Sequence, residues 1–224
     1  MTQRRRRTGQ VPQTRRKDTS ERALAAAEKL LVRGGYANLS LDGVADALGI
    51  RTPSLYHHFP GGKEELVLAV SERNAVQDGA RVVELMVAVP DPIEKLRAVA
   101  GHFATLSGHR LRHALSESRK DLSPRARARM HARYAEHVEA SLLAVIEQAI
   151  ADGQFRRCNP VAAVRAFLML MLSLGEFEAE DPLLASLPDF LVDLFADGVR
   201  NPAPKPKTNR RKTTLQRSRP KQRR

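Results

Sequence analysis

A single cysteine stands in this chain of 224 residues, which excludes an internal disulfide framework and fits a reducing, cytoplasmic setting. Cys158 follows Arg156 and Arg157, whose charge would lower a thiolate pKa at close range, so a redox switch and a plain small side chain both stay open. Apolar runs are short. The longest, residues 166–172, falls far below a membrane span, and Arg4–Arg7 lead into polar residues rather than the apolar stretch of an export signal, so neither ordinary nor twin-arginine export is expected. Tryptophan is absent, aromatic residues make up 4%, and no alternating apolar and polar runs lie between turn signals. With leucine and alanine dominant, this composition favours an all-α fold.

Patterns for catalysis are also missing. There is no His-Glu-x-x-His, Gly61-Gly62-Lys63 lacks the Walker spacing, and no Ser/His/Asp order can be placed. His109 and His113, four apart, would share a helical face but have no third ligand at a fixed offset, which leaves metal binding weaker than a solvated polar face. No catalytic residue, metal or cofactor is therefore expected, and no membrane partner.

What is abundant is positive charge, a net +13, and it is unevenly placed. Residues 1–17 carry seven basic side chains and residues 201–224 carry ten, neither with any acid; positions 18–200 hold the other twenty-one against all twenty-five acids. The two tails have little to bury and are expected to be disordered. They either gain DNA affinity by counterion release or act as solubilising extensions.

Between them, residues 40–59 read as two short helices joined by a tight turn. Ser40 is a good N-cap for a helix with Val44, Ala45 and Leu48 on one face, Gly49 can take the left-handed conformation that ends it, and Ile50 can tuck between the pair. The spacing predicts Thr52 as the next cap and Pro53 at the first helical position, with Leu55 and Phe59 inward. Arg51, Ser54, Tyr56, His57 and His58 are left outward, a face of donors and aromatic surface suited to phosphates and base edges. Lys63 opens the following helix beside them, where charge and free backbone N–H groups favour a phosphate.

These residues resemble the helix-turn-helix of the TetR family of transcriptional regulators. The resemblance rests on Gly49, Leu55-Tyr56-His57-His58-Phe59 and Lys63-Glu64, and extends back through Arg22, Ala26-Ala27, Leu30 and Gly34-Gly35 over roughly residues 18–70. Pro60-Gly61-Gly62 is one residue longer than the commonest family spacing, a form similar to a branch that contains drug-responsive repressors. The resemblance implies base-facing roles for Arg51, Thr52, Ser54 and His57, and phosphate contacts for Ser40, Tyr56, His58 and Lys63, with Pro53 in the same surface. It further implies a homodimer on a palindromic operator and a repressor released by a small-molecule effector.

The rest of the chain matches in length and helical character. Asp18 and Glu21 form a capping box for a first helix that Gly34-Gly35 stops; Lys63 starts one reaching about Val89; Asp91 caps another; and Pro124 opens a helix of about thirty residues, roughly 45 Å, ending near Gly153. From Ala166 onward the next helix is apolar nearly all round. The last, about Leu183 to Val199, groups Leu187, Phe190, Leu191 and Leu194 on one face. These two helices are expected to join a four-helix bundle across a two-fold axis, against the alternative of an intrachain core. Phe103, Tyr134, Phe167, Met169 and Met171 could line a ligand cavity or simply fill the core. The organisation expected is therefore a basic tail over 1–17, a helix-turn-helix domain over 18–80 with its motif at about 41–60, a larger helical ligand-binding and dimerisation domain over 81–200, and a basic tail over 201–224. An architectural protein binding DNA nonspecifically through its tails, with no effector, is the alternative function.

Overall fold

The structure, a computed structural model, describes residues 13–177 and 181–201; most of both basic tails lies outside them. All regular elements among these residues are helical, with one isolated bridge between Phe155 and Arg200. Helices α1 (Gln13–Asn38), α2 (Leu41–Leu48), α3 (Thr52–Tyr56) and α4 (Gly62–Val87) come first. They are followed by α5 (Pro92–Phe103), α6 (Leu106–Ser118), α7 (Pro124–Tyr134), α8 (Ala140–Ala151), α9 (Pro160–Leu172) and α10 (Leu187–Val199).

Helix α1 begins at least five residues ahead of the Asp18–Glu21 box, so residues 13–17 are helical and not the end of a disordered tail. Glutamine, arginine and lysine are good helix formers, and propensity carries the helix past its apparent cap. The Gly34-Gly35 pair breaks the helix as expected: Gly35 has φ 62°, and beyond it Asn38 folds its amide back onto the Leu30 carbonyl, at 3.1 Å.

Two apolar clusters form. Leu24, Leu31, Val44, Leu55, Phe59, Leu66 and Val70 make the first, which also takes Leu111 and Leu115 from α6, Leu122 from the connection after it and Met130 from α7. The second gathers Val82, Leu96, Phe103, Leu142, Ile146, Phe167, Val192 and Phe195. Helix α4 serves both, through Leu66 and Val70 at one end and Val82 and Met86 at the other. Helix α6, which sequence periodicity does not separate from its neighbours, packs against α1. Glu64, near the start of α4, fastens the N-terminus of α7 by accepting the Ser123 N–H at 2.8 Å and its hydroxyl at 2.9 Å.

The expected thirty-residue helix is present as α7 and α8 joined by one π turn, Ala135–Glu139. Its inward side chains explain the turn. Met130, Tyr134, Val138, Leu142 and Ile146 recur every four residues, and in a regular helix such a stripe drifts by about 40° per step; one wider turn takes up much of the drift. Gly79 on α4 lies against the His137 carbonyl in this turn, and a Cβ there would overlap that backbone. Gly79→Ala is therefore expected to destabilise by about 1–3 kcal/mol, the usual range for overpacking. Urea unfolding would measure it, and an unchanged midpoint would show that α4 does not need this close approach.

Helix α10 divides differently from the sequence reading. Leu191, Val192, Phe195, Ala196 and Val199 are buried in the second cluster, with the Phe195 ring edge-on to Phe167 of α9 at 5.5 Å, whereas Phe190 and Leu194 are 60% and 53% exposed. Leu191 thus belongs to the intrachain core. Apolar residues occupy more than half the circumference of this helix, and periodicity alone cannot choose which arc turns inward. In the single chain Val161 and Met169 of α9 are likewise left exposed. Arg97 of α5 clamps α10 through Asp189 at 3.1 Å and Asp193 at 2.8 Å.

Candidate nucleic-acid interface and internal cavity

Helices α2 and α3 are built by local chemistry. The Ser40 hydroxyl accepts the Gly43 N–H at 3.0 Å and caps α2, as its position predicts. At the other end Gly49 has φ 65°; its N–H meets the Asp46 carbonyl, and the Ile50 N–H meets that of Ala45 at 3.0 Å, the paired bonds of a Schellman ending. Leu55 and Phe59 are buried beneath α3, fixing its opposite side toward solvent. Arg51, Pro53, Ser54, Tyr56 and His57 are all exposed there, Tyr56 by 52%. His58 is half-buried with its ring tilted against Phe59, 6.3 Å between centroids.

Thr52 departs from expectation. The residue flanking α3 is Arg51, which gives no side-chain cap, while Thr52 occupies the first helical position and Pro53 the second. The Thr52 hydroxyl donates to Asp42 Oδ1 at 2.7 Å, tying α3 to α2. An acidic partner across the turn outcompetes the orphan N–H groups for this hydroxyl, and with its proton committed it can only accept from a base edge. Ser40 has the complementary state: its oxygen accepts, so its proton is left to give.

Lys63 lies at the start of α4, where Gly62 takes φ 68° and the Gly61 N–H is held by Glu65 at 2.6 Å. Its ammonium sits 4.1 Å from the centre of the Tyr36 ring, a cation–π contact that positions it. Burial first, then the charges of Glu64 and Asp121, push the Tyr36 hydroxyl up, so it stays neutral under Lys63. Neither Tyr36 nor Asp42 stands out in the sequence, because each acts through a partner distant along the chain. Beside this surface Arg22, Lys29 and Arg33 of α1 flank a groove against Ala47 and Leu48 of α2.

A cavity of about 330 Å³ lies between α4, α6, α7 and α9. Phe103, Tyr134, Met169 and Met171 line it, four of the five side chains singled out from the sequence; Phe167 instead packs in the core on Phe195. Burial first, and the Asp78 charge next, push the Tyr134 hydroxyl well up and keep it neutral. Arg112 reaches the cavity from α6, pairs with both carboxylate oxygens of Asp78 at 3.1 and 3.2 Å, donates to the Phe103 carbonyl and stacks on the Phe103 ring. His102 approaches the same carboxylate at 3.0 Å. Among the described residues no group of three metal-ligating side chains occurs, and the His109 side chain lies outside them. No helix among them is long and apolar enough to cross a membrane.

Comparison with known proteins bears on both features. Residues 23–70 match the family model described as bacterial regulatory proteins, tetR family, and residues 89–182 match a tetracyclin repressor-like C-terminal domain. The HTH-type transcriptional regulator LmrA of Bacillus subtilis (strain 168) is 33% identical over 81 residues, which are 36% of this chain and 43% of that one, so the match spans under half of the relative. The TetR family transcriptional regulator PfmR from Thermus thermophilus superposes with a TM-score of 0.63 at 29% identity, over 80% of this chain and 100% of that one. AibR, solved in complex with isovaleryl coenzyme A and operator DNA, superposes with a TM-score of 0.64 at 23% identity, over 79% and 97%. At that identity AibR shares the fold.

Proposed function

Given that this chain belongs to the TetR family of transcriptional regulators, its two matched segments together covering well over half of it, we propose that it is a cytoplasmic homodimer that represses transcription at a palindromic operator and leaves it when a small molecule fills the cavity. The observation that carries this reading is the continuity of α4. One helix holds Lys63 beside the recognition surface and Asn74 on the cavity wall, eleven residues and about 16 Å further along. An effector that prefers one placement of α4 biases the spacing of two recognition helices, and it lowers DNA affinity by its differential affinity for the two states. The solved complex of AibR with both a ligand and operator DNA is consistent with such a pairing in this fold.

Exposed Phe190 and Leu194 on α10, with Val161 and Met169 on α9, supply the proposed dimer face, replacing the Leu191 side of the helix. Two recognition helices must then reach half-sites about one turn apart, roughly 34–36 Å, or a multiple of it. We retain Ser40, Tyr56, His58 and Lys63 as phosphate contacts, and Arg51, Thr52, Ser54 and His57, with Pro53 in the same surface, as the side that meets base edges.

The test is selection of duplexes from a random pool, followed by affinity measurements with variants. Tyr56→Ala is expected to weaken all duplexes about equally. Ser54→Ala or His57→Ala should change sequence preference, by about 1–3 kcal/mol per base pair read. Uniform loss from all three would refute the division of roles, and a pool that yields no preferred duplex would favour nonspecific binding through the tails. Removing residues 1–12 and 202–224 is expected to flatten the dependence of log affinity on log salt while leaving the specificity ratio nearly unchanged. An unchanged slope would mean that those segments do not meet DNA.

A further inference from the structure

We infer that the cavity takes an amphipathic acyl compound, an apolar chain with an anionic end, whose carbonyl oxygen is held by Asn74 and Ser71 of α4. The inference rests on the reading of the chain as an effector-released regulator and adds to it the class of ligand and the residues that sense it.

Asn74 and Ser71 are 8% and 7% exposed, and both line the cavity. Neither side chain makes a hydrogen bond to another protein group among the described residues, and their polar atoms keep some exposure to the cavity. Buried amides and hydroxyls are ordinarily satisfied, and leaving them without a partner is costly. Their donors therefore await something that enters the cavity, and an acyl oxygen can accept from both at once. Being three apart on α4, they lie on one helical face.

The remaining wall sets the rest of the ligand. Phe103, Met130, Leu168 and Met171 offer apolar and polarizable surface that adapts to a chain. Its charge is predominantly positive. Arg112 is neutralised by Asp78, and Arg165 faces Glu139 at 3.7 Å, but Arg119 makes no ion pair among the described residues. Arg119 is exposed at the wall, so an anionic end meets it without leaving water entirely. A cationic end would face uncompensated like charge. The volume, about 330 Å³, lies at the small end of the roughly 300–1,000 Å³ typical of ligand sites, which favours a short or medium chain.

Free acids and acyl thioesters of an anionic carrier share this chemistry, and the experiment separates them. Octanoate, octanoyl-coenzyme A, octanol and octyltrimethylammonium are titrated into the full-length protein by calorimetry, and into its complex with a selected duplex by anisotropy. At least one anionic probe should bind and release DNA, with octanol about tenfold weaker or worse and the cation weaker still. The stronger of the two anions identifies the source. Asn74→Leu should weaken the binding probe by about tenfold, the loss of one buried hydrogen bond. The same variant should leave DNA affinity unchanged and raise the thermal midpoint of the unliganded protein, which a structural asparagine would not do. Arg119→Gln should reduce the preference for anion over alcohol, leaving the part that rests on the carbonyl oxygen, with no change in that midpoint. Equal binding of all four probes, no binding by either anion, or an Asn74→Leu variant with undiminished probe affinity would overturn the inference. Failure of the unliganded protein to select any duplex would instead overturn the regulatory reading beneath it.

Discussion

Replacing Phe190 and Leu194 together by glutamate should give a folded monomer with operator affinity reduced by about 10²–10⁴-fold, the advantage of binding two linked half-sites at once. Both side chains are exposed in the single chain and belong to the outward arc of α10, so charge there leaves the intrachain cluster intact. Across a two-fold axis each carboxylate would be buried without a partner, and its own copy would lie close by. Light scattering and circular dichroism read mass and fold separately. A dimer of unchanged mass would place the association surface elsewhere. Leu191→Glu is a useful contrast, because burying that charge inside the subunit should unfold the protein rather than divide it.

The second large effect is expected at Asp78. This carboxylate is 4% exposed, accepts both bonds from Arg112, and meets His102 from a third helix, so it joins α4, α5 and α6 at one point. Asp78→Ala leaves the Arg112 guanidinium buried without its counterion and should destabilise by about 3–5 kcal/mol in urea unfolding. Replacing both partners, Asp78→Leu with Arg112→Met, should recover most of that, since the desolvation of two charges is removed together with their attraction. A loss below about 1 kcal/mol for the single variant would mean that the pair behaves as an exposed ion pair.

The contrast between these sites and the helix-turn-helix shows where sequence is informative. Ser40, Gly49, Leu55 and Phe59 act on neighbours within a few positions, so their spacing alone places the cap, the turn and the inward face, and all four stand as expected. Asp78 acts through groups on other helices, and Asn74 faces a cavity that other helices close. In a helical pattern each reads as one more polar residue on the solvent side, and nothing local reveals that α6 and α9 close over them. Thr52 shows the same limit at short range: its cap position is a sound local reading, but Asp42 ten residues earlier claims the hydroxyl. The apolar circumference of α10 hides the split between Leu191 and Phe190 for a different reason, since excess hydrophobicity erases the periodic signal.

The π turn at Ala135–Glu139 has a bearing on how ligand preference is compared between relatives. An extra residue in a helix rotates everything beyond it by about 100°. The cavity side chains Met130, His131 and Tyr134 precede the turn, and the core side chains Leu142 and Ile146 follow it. In a homologue whose helix runs regularly through this point, residues paired by ungapped alignment before and after the turn cannot both occupy equivalent places. Deleting one residue from this turn would therefore redirect either the cavity wall or the core stripe without changing a single amino acid in it, so a gap of length one, rather than a substitution, is the change by which such proteins could exchange one chemical signal for another.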